Sequence, residues 1–383
     1  MTIIFNYRYY INEDDYETYH LKCHKYADKC VAQSLASVAE VVKFAEQQQR
    51  LGRYVAIYLS YEAAQHFNVN MITYDLQKDD IYAVAYSFDK VEWQPSYINH
   101  TVRHKAKHQF TFETSQQTMM NNIKQIQQAI VEGNTYQVNY TTRLVDRIIY
   151  PISELYYNLT QESNGNYTVL MDTDEVKVAS ISPELFFQKG EFKSQSNMIV
   201  SKPMKGTMPR GKTTKEDKKN YEILANSTKD QAENVMIVDL LRNDISRIAK
   251  QGTIAVYKLF FIEQYKTVFQ MTSMVCGQLS SNQQLHDILT ALFPCGSITG
   301  APKLNTMKYI QSLETSVRSI YCGTIGLLLP TRDARMIFNI PIRTIEYRNN
   351  QAIYGVGAGI TINSVAEDEV QEFYDKTKLL EML

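Results

Sequence analysis

The chain has 383 residues, 44% of them hydrophobic, enough to bury a large core as one big domain or two ordinary ones. Forty basic residues against 41 acidic ones leave a formal charge of −1, so nothing in the balance calls for nucleic acid or an anionic membrane, and small-molecule partners are expected. Five cysteines (Cys23, Cys30, Cys276, Cys295, Cys322) without a CxxC pair argue against a disulfide framework or a zinc knuckle. With no apolar leader after Met1 and no run near the ~18 apolar residues of a membrane span, a cytoplasmic location is expected.

Residues 1–110 mix strand-like runs at 54–59 and 81–86 with a helix-like segment over 33–49. The basic piece 101–109 has no clear period and reads as an exposed connection. Its His104 and His108 lack a third donor, so a solvated loop is the expectation there. Over 115–132 the spacing of Met119, Ile123, Ile126, Ala129 and Ile130 predicts a helix that Gly133 stops. A strand over 135–144 then sets Gln137 and Asn139 on one face. A helix near 152–162 and strands over 167–172 and 176–181 lead into Ser182, Pro183 and Glu184 and a strand over 185–187.

The segment from Ser201 to Gly211 holds Lys202, Lys205 and Arg210 between Pro203 and Pro209. The prolines forbid a continuous helix, so strand and turn are predicted. Crowded cations point to an anionic ligand or buried carboxylates opposite, and a partly desolvated lysine among cations is suited to act as a nucleophile. A basic surface turn is the plainer alternative. Residues 228–249 predict a helix apolar nearly all round at 235–241 and deeply buried, carrying Glu233 and Asp239.

The last third predicts helices over 283–292 and 304–313, strands over 322–329, 336–347 and 352–362, and a terminal helix over 366–382. The loop from Phe293 to Lys303 precedes a helix and suits a carboxylate or phosphate, although its glycine spacing is not that of a Walker A loop. Gly355, Gly357 and Gly359 lack the dinucleotide spacing and instead let a ligand or strand approach the backbone. Arg343 interrupts an apolar strand and can fork onto a carboxylate. Carboxylates on two separate helices, around Glu233 and Glu372, make a plausible hard-cation site. For Glu372 and Lys376 an exposed i, i+4 pair is the competing reading.

Taken in order, these motifs resemble the chorismate-utilising enzymes: anthranilate, aminodeoxychorismate, isochorismate and salicylate synthases. They are Ser182-Pro-Glu, Lys202-Pro-x-Lys-Gly-Thr, Glu233-Asn-x-Met-Ile-Val-Asp, Gly296-Ser-Ile-Thr-Gly-Ala-Pro-Lys, Ile342-Arg-Thr and Gly355-x-Gly-Ala-Gly-Ile. The resemblance covers about 115–383, with a weaker match at 59–64. It implies that Glu184 is the general acid/base at the ring hydroxyl and that Glu233 and Glu372 hold Mg²⁺ against the ring carboxylate. It also implies that Arg343, Lys376, Ser297, Thr207, Gln137 and the Gly357 and Gly359 backbone contact the substrate.

Lys205, where anthranilate synthases have alanine, and Gln137, where isochorismate and salicylate synthases place a base lysine, both point to the aminodeoxychorismate-forming branch. Gln270 departs from the family's histidine, which makes aromatisation on this chain less expected. The implied chemistry is amination of chorismate at C4 through a covalent Lys205 adduct at C2, serving 4-aminobenzoate and folate synthesis. Anthranilate synthesis and a non-catalytic chorismate-binding role are the alternatives. No cysteine sits in a glycine-flanked elbow, so ammonia is expected from a separate glutamine amidotransferase subunit. The expected fold is α+β, a large antiparallel-sheet core in a two-lobed sandwich with helices outside. It is expected to be a single domain over 1–383, with 115–383 the catalytic part.

Overall fold

In the computed structural model, which describes residues 1–93, 108–161 and 165–383, two antiparallel sheets of ten strands each lie face to face. The first runs, strand beside strand, through Gly300–Ala301, Gln137–Arg147, Gln351–Ile360, Thr344–Arg348, Lys177–Ser182, Tyr167–Asp172, Thr2–Tyr10, Tyr16–Cys23 and Glu92–Trp93. Thr111–Phe112 pairs onto Gln137–Arg147. The second runs through Met204–Pro209, Val268–Gln278, Gln195–Lys202, Leu185–Phe192, Met336–Asn339, Thr324–Leu328, Tyr54–Leu59, Ala83–Phe88 and Asp28–Ala32. Ala255–Gln264 pairs beside Val268–Gln278.

The period of two decides which layer each side chain enters. In strand Tyr54–Leu59, Val55, Ile57 and Leu59 pack beneath helices Val38–Arg50, Thr228–Ser246 and Leu285–Leu292. Ala56 and Tyr58 instead join Phe5, Tyr7, Tyr9, Val169 and Met171 between the sheets. Burial on both faces is why this strand reads as an unbroken apolar run. On the outer face of the first sheet, Leu170, Ala179, Ile181 and Val356 pack with helices Gln116–Val131, Ile152–Thr160 and Ala366–Lys376. The result is four layers, helix, sheet, sheet, helix, an α+β sandwich as the sequence led one to expect. Each buried aliphatic or aromatic side chain contributes about 1.5–3 kcal/mol. In the middle layer Tyr7 satisfies its hydroxyl by donating to the Ile325 carbonyl at 3.0 Å, whereas the buried Tyr167 hydroxyl has no partner among the described residues. Among the described residues no helix is long and apolar enough to cross a membrane.

Several expectations need correction. The strand expected over 336–347 is two strands in different sheets, Met336–Asn339 and Thr344–Arg348, because Pro341 cannot serve a ladder and Arg343 takes a left-handed φ of 53°. Arg343 therefore sits on a crossover, not within a strand. Helix Thr228–Ser246 is not buried all round: Ile237, Val238, Leu241 and Ile245 face the sheet, while Val235 and Asp239 are exposed. The helix expected over 33–49 starts later, at Val38, after a 3-10 turn at Leu35–Ser37. Cys322 lies in the turn before Thr324–Leu328 with φ 65°. His108 is not solvated but buried, its Nδ1 3.0 Å from Asp146 Oδ2. His104 lies outside the described residues. Helix Thr214–Ala225, capped where Thr213 Oγ1 accepts from the Glu216 N–H at 3.2 Å, and strand Ala255–Gln264 had no counterpart in the sequence reading.

Candidate active site

Two of the chain's passages from one sheet to the other, at Pro183–Glu184 and at residues 340–343, are stitched together. Ser182 Oγ donates to the Ile340 carbonyl at 2.6 Å and accepts the Glu184 N–H at 3.1 Å. The Ile340 N–H reaches the Glu184 carbonyl at 3.1 Å, and the Ile181 N–H reaches that of Arg343 at 3.0 Å. Glu184 and Arg343 are thus held near each other by backbone. Burial pushes the Glu184 carboxyl up to about 7, against the opposing pull of a hydrogen bond from Ser297 and the charge of Lys205. Ser297 Oγ donates to Glu184 Oε1 at 2.9 Å. A carboxyl poised there can give or take a proton near neutrality.

Ser297 belongs to a loop pinned from several sides. The Asn139 N–H bonds the Thr299 carbonyl at 2.9 Å and the Tyr136 N–H bonds that of Ala301 at 2.8 Å. The buried Lys303 ammonium lies 2.9 Å from Asp244 Oδ2 on helix Thr228–Ser246. Arg318 donates to the carbonyls of Ile298 (2.7 Å) and Asn139 (2.8 Å) while pairing with Glu314. Lys303 ends a loop noted in the sequence but was given no role of its own, and none was assigned to Asp244, Glu314 or Arg318, since nothing in local spacing shows that they meet.

Lys205 lies on Met204–Pro209, the edge strand of the second sheet, inside a bulge: Met204 pairs Thr272, Thr207 pairs Gln270, and the register slips between. Gly206 has φ +84°, and a Cβ there would stand 2.9 Å from Asp230, so the turn requires glycine. For two of the crowded cations the compensation is the second one the sequence offered, carboxylates opposite them. Lys202 pairs with Glu263 and bonds Tyr10 Oη at 2.7 Å, and Arg210 grips Asp217 through two bonds of 2.8 and 2.7 Å. Those two therefore need no anionic ligand.

Among the described residues Lys205 has no hydrogen-bond or ion-pair partner. A Cβ on Gly359 would lie 3.4 Å from Lys205 Nζ and 2.0 Å from Gln137 Nε2, so the amine and the amide meet over a position that tolerates no side chain. Gln137 Oε1 is buried without a partner, an acceptor left for a donor the protein does not supply. Thr207 Oγ1 is committed to Gln270 Oε1 at 2.8 Å.

Strand Thr344–Arg348 stops pairing with its neighbour at Tyr354, leaving the edge beyond Gly355 uncovered. Lys376 Nζ donates to the Gly357 carbonyl at 2.5 Å, so that carbonyl faces the open edge. By the alternation of an antiparallel strand, the N–H groups of Gly357 and Gly359 face it too. The bond from Lys376 to Gly357 ties the helix to the strand, while Lys376 also lies 2.6 Å from Glu372 Oε1 one turn back on its own helix, the exposed i, i+4 pair that the sequence offered as the competing reading. Glu372 is held below the usual carboxylate range: burial pushes it up, but Lys376 and then Lys205 and Lys229 outweigh that. Burial raises Glu233, and burial with the charge of Glu372 raises Glu369. Glu369, buried and bonded by Ser364 Oγ at 2.7 Å, had been noted in the sequence beside Glu372 but not given a role.

Glu233 on one helix and Glu369 on another are near enough for the Glu369 charge to help raise Glu233, and among the described residues no group of three or more His, Cys, Asp or Glu side chains is placed to hold a metal ion. The Arg343 guanidinium is lowered by burial, with Tyr354 and Tyr265 beside it, and it has no hydrogen-bond or ion-pair partner among the described residues. The Tyr321 ring lies against Gly355; neither its place here nor the position of Gln270 was legible from spacing.

A family model for the chorismate binding enzyme matches residues 7–381. The chain belongs to the chorismate-binding enzyme family. It is 37% identical over 253 residues to "Aminodeoxychorismate synthase component 1" of Escherichia coli (strain K12), covering 66% of this chain and 54% of that protein. It is 35% identical over 254 residues to the protein of the same name in Bacillus subtilis (strain 168), covering 66% and 53%. To "Anthranilate synthase component 1" of Aquifex aeolicus (strain VF5) it is 36% identical over 258 residues, covering 67% and 51%. The chain spans about half the length of the curated relatives it matches. Among solved structures, a putative 2,3-dihydroxybenzoate-specific isochorismate synthase from Bacillus anthracis superposes with a TM-score of 0.76 at 18% identity, covering 99% and 94%. Anthranilate synthase component I from Streptococcus pneumoniae TIGR4 does so with 0.76 at 20%, covering 99% and 90%. At these identities the structures speak for the fold alone.

Proposed function

We propose that this chain aminates chorismate at C4 to give 4-amino-4-deoxychorismate by two allylic displacements. The Lys205 Nζ lone pair attacks C2, the ring double bonds shift, and the C4–oxygen bond breaks as Glu184 delivers its proton, releasing water. Ammonia then adds at C4, the double bonds return, and the C2–nitrogen bond breaks to free the lysine. Glu184 regains its proton from solvent. Splitting one difficult substitution in two is what covalent catalysis achieves. Arg343 and the Gly357 and Gly359 N–H groups bind the substrate's carboxylates, and Gln137 Oε1 accepts a proton-bearing group beside C2. Glu233 and Glu372, with Glu369 beside them, would hold Mg²⁺, which when bound orients and neutralises the ring carboxylate.

The observation that carries this reading is the Lys205 amine on an edge strand, unpartnered among the described residues, whose charge acts on the buried Glu184 acid. The names of the relatives support the same branch. The likeness to an anthranilate synthase component keeps that reaction as the second reading, and Lys205 and Gln270 speak against it.

Ammonia must come from elsewhere. Burial raises the thiols of Cys23 and Cys295 to about 12 and Cys322 to about 11, and it also raises Cys30 and Cys276. None is an activated nucleophile for glutamine. A separate glutaminase subunit supplies it in this proposal, and a separate lyase completes 4-aminobenzoate. The test is turnover by the purified chain. Chorismate with ammonium salts is expected to give a product that keeps the enolpyruvyl group, and glutamine alone is expected to give none. Fluorescent anthranilate with released pyruvate would select the second reading. Product from glutamine as sole nitrogen source would refute the need for a partner.

A further inference from the structure

We infer that Gln270 is a positioning residue that latches the bulge carrying Lys205, an inference that rests on the covalent reading above. Gln270 is only 6% exposed and spends both ends of its amide on one turn. Its Nε2 donates to the Gly206 carbonyl at 2.8 Å, and its Oε1 accepts from Thr207 Oγ1 at 2.8 Å. These are the two residues that follow Lys205. The latch sits where the register slips: the step from Met204 to Thr207 holds one residue more than the facing step from Thr272 to Gln270. A bulge re-aims a side chain, but at a sheet edge it holds its aim only if the extra residue is tied down.

Asp230 closes the other side of Gly206, where a Cβ would lie 2.9 Å away. The Lys205 side chain has no partner of its own among the described residues, so its direction is set by this backbone. Both amide ends must be correct, a donor toward a carbonyl and an acceptor toward a hydroxyl. Displacing a nucleophile by about 1 Å costs roughly a hundredfold in rate.

Three measurements test the latch. Gln270→Met, of similar length but without polar ends, is expected to slow formation of the chorismate adduct on Lys205 about a hundredfold, with chorismate affinity changed by no more than about twofold. Gln270→Glu keeps the acceptor for Thr207 but turns an oxygen toward the Gly206 carbonyl. Protonation of the introduced carboxyl restores the donor. Its adduct rate relative to wild type is therefore expected to climb as pH falls from about 8 to about 5, while the Gln270→Met ratio stays flat.

Amide hydrogen exchange reads the latch without chemistry, and exchange at residues 204–209 is expected to quicken in Gln270→Met. Unchanged exchange there, a near-wild-type adduct rate, affinity lost in step with rate, or a flat pH ratio for Gln270→Glu would each overturn the latch. A wild-type protein that carries no adduct on Lys205, with exchange quickened in the variant, would overturn the covalent reading and leave the latch standing.

Discussion

At the scale of single residues, burial lifts the Glu184 carboxyl to about 7, where an exposed one would be ionised, and this fits it to the acid role proposed above. The sign follows: the folded state favours the protonated form, which is present below about 7 and lost as pH rises through it. Glu184→Gln should cut the adduct rate by about 10²–10⁴ at pH below that value. In single-turnover experiments at saturating chorismate, the wild-type rate divided by that of Glu184→Gln, a ratio that cancels the titration of the attacking amine, is expected to fall about tenfold per pH unit above it. A ratio that stays flat would assign the proton to another group. Glu184 was legible in sequence because Ser182-Pro-Glu is a compact motif. Its partner Ser297 was legible only through the resemblance, being 113 positions away.

The candidate cation site is a matter of elements rather than residues, since Glu233 comes from helix Thr228–Ser246 and Glu369 and Glu372 from Ala366–Lys376. Burial pushes Glu233 and Glu369 toward their neutral forms, and a divalent cation would reverse that. Isothermal titration of the metal-free protein is expected to give one Mg²⁺ site, weakened about tenfold or more by Glu233→Gln or Glu372→Gln. Equal Mg²⁺ affinity in wild type and both variants would dismiss the site. Sequence alone misjudged these elements where tertiary context overrode pattern. Residues 235–241 look apolar all round, yet Val235 and Asp239 are exposed because only one stripe of the helix meets the sheet. Residues 336–347 read as one strand because local apolar character does not reveal a change of sheet at Pro341.

At the scale of the molecule, the groups of the site gather where two crossings join the sheets and where two sheet edges stand open, the bulged edge of Met204–Pro209 and the edge of Gln351–Ile360 beyond Tyr354. Short motifs pointed to candidate residues; the sandwich explains why motifs from 184 to 376 come together. The α+β class was legible because strand periodicity recurs through both halves, whereas the order of strands, set by pairings such as Thr2–Tyr10 with Tyr167–Asp172, was not. The central claim is that Lys205 becomes covalently attached to the substrate. The most direct measurement is peptide mass spectrometry of the protein quenched after mixing with chorismate and Mg²⁺ in the absence of ammonia. The expected result is a chorismate-derived mass, less one water, on the peptide bearing Lys205 in wild type, absent from Lys205→Ala and lost when ammonium is added. An adduct on another lysine, or full amination by Lys205→Ala, would contradict it.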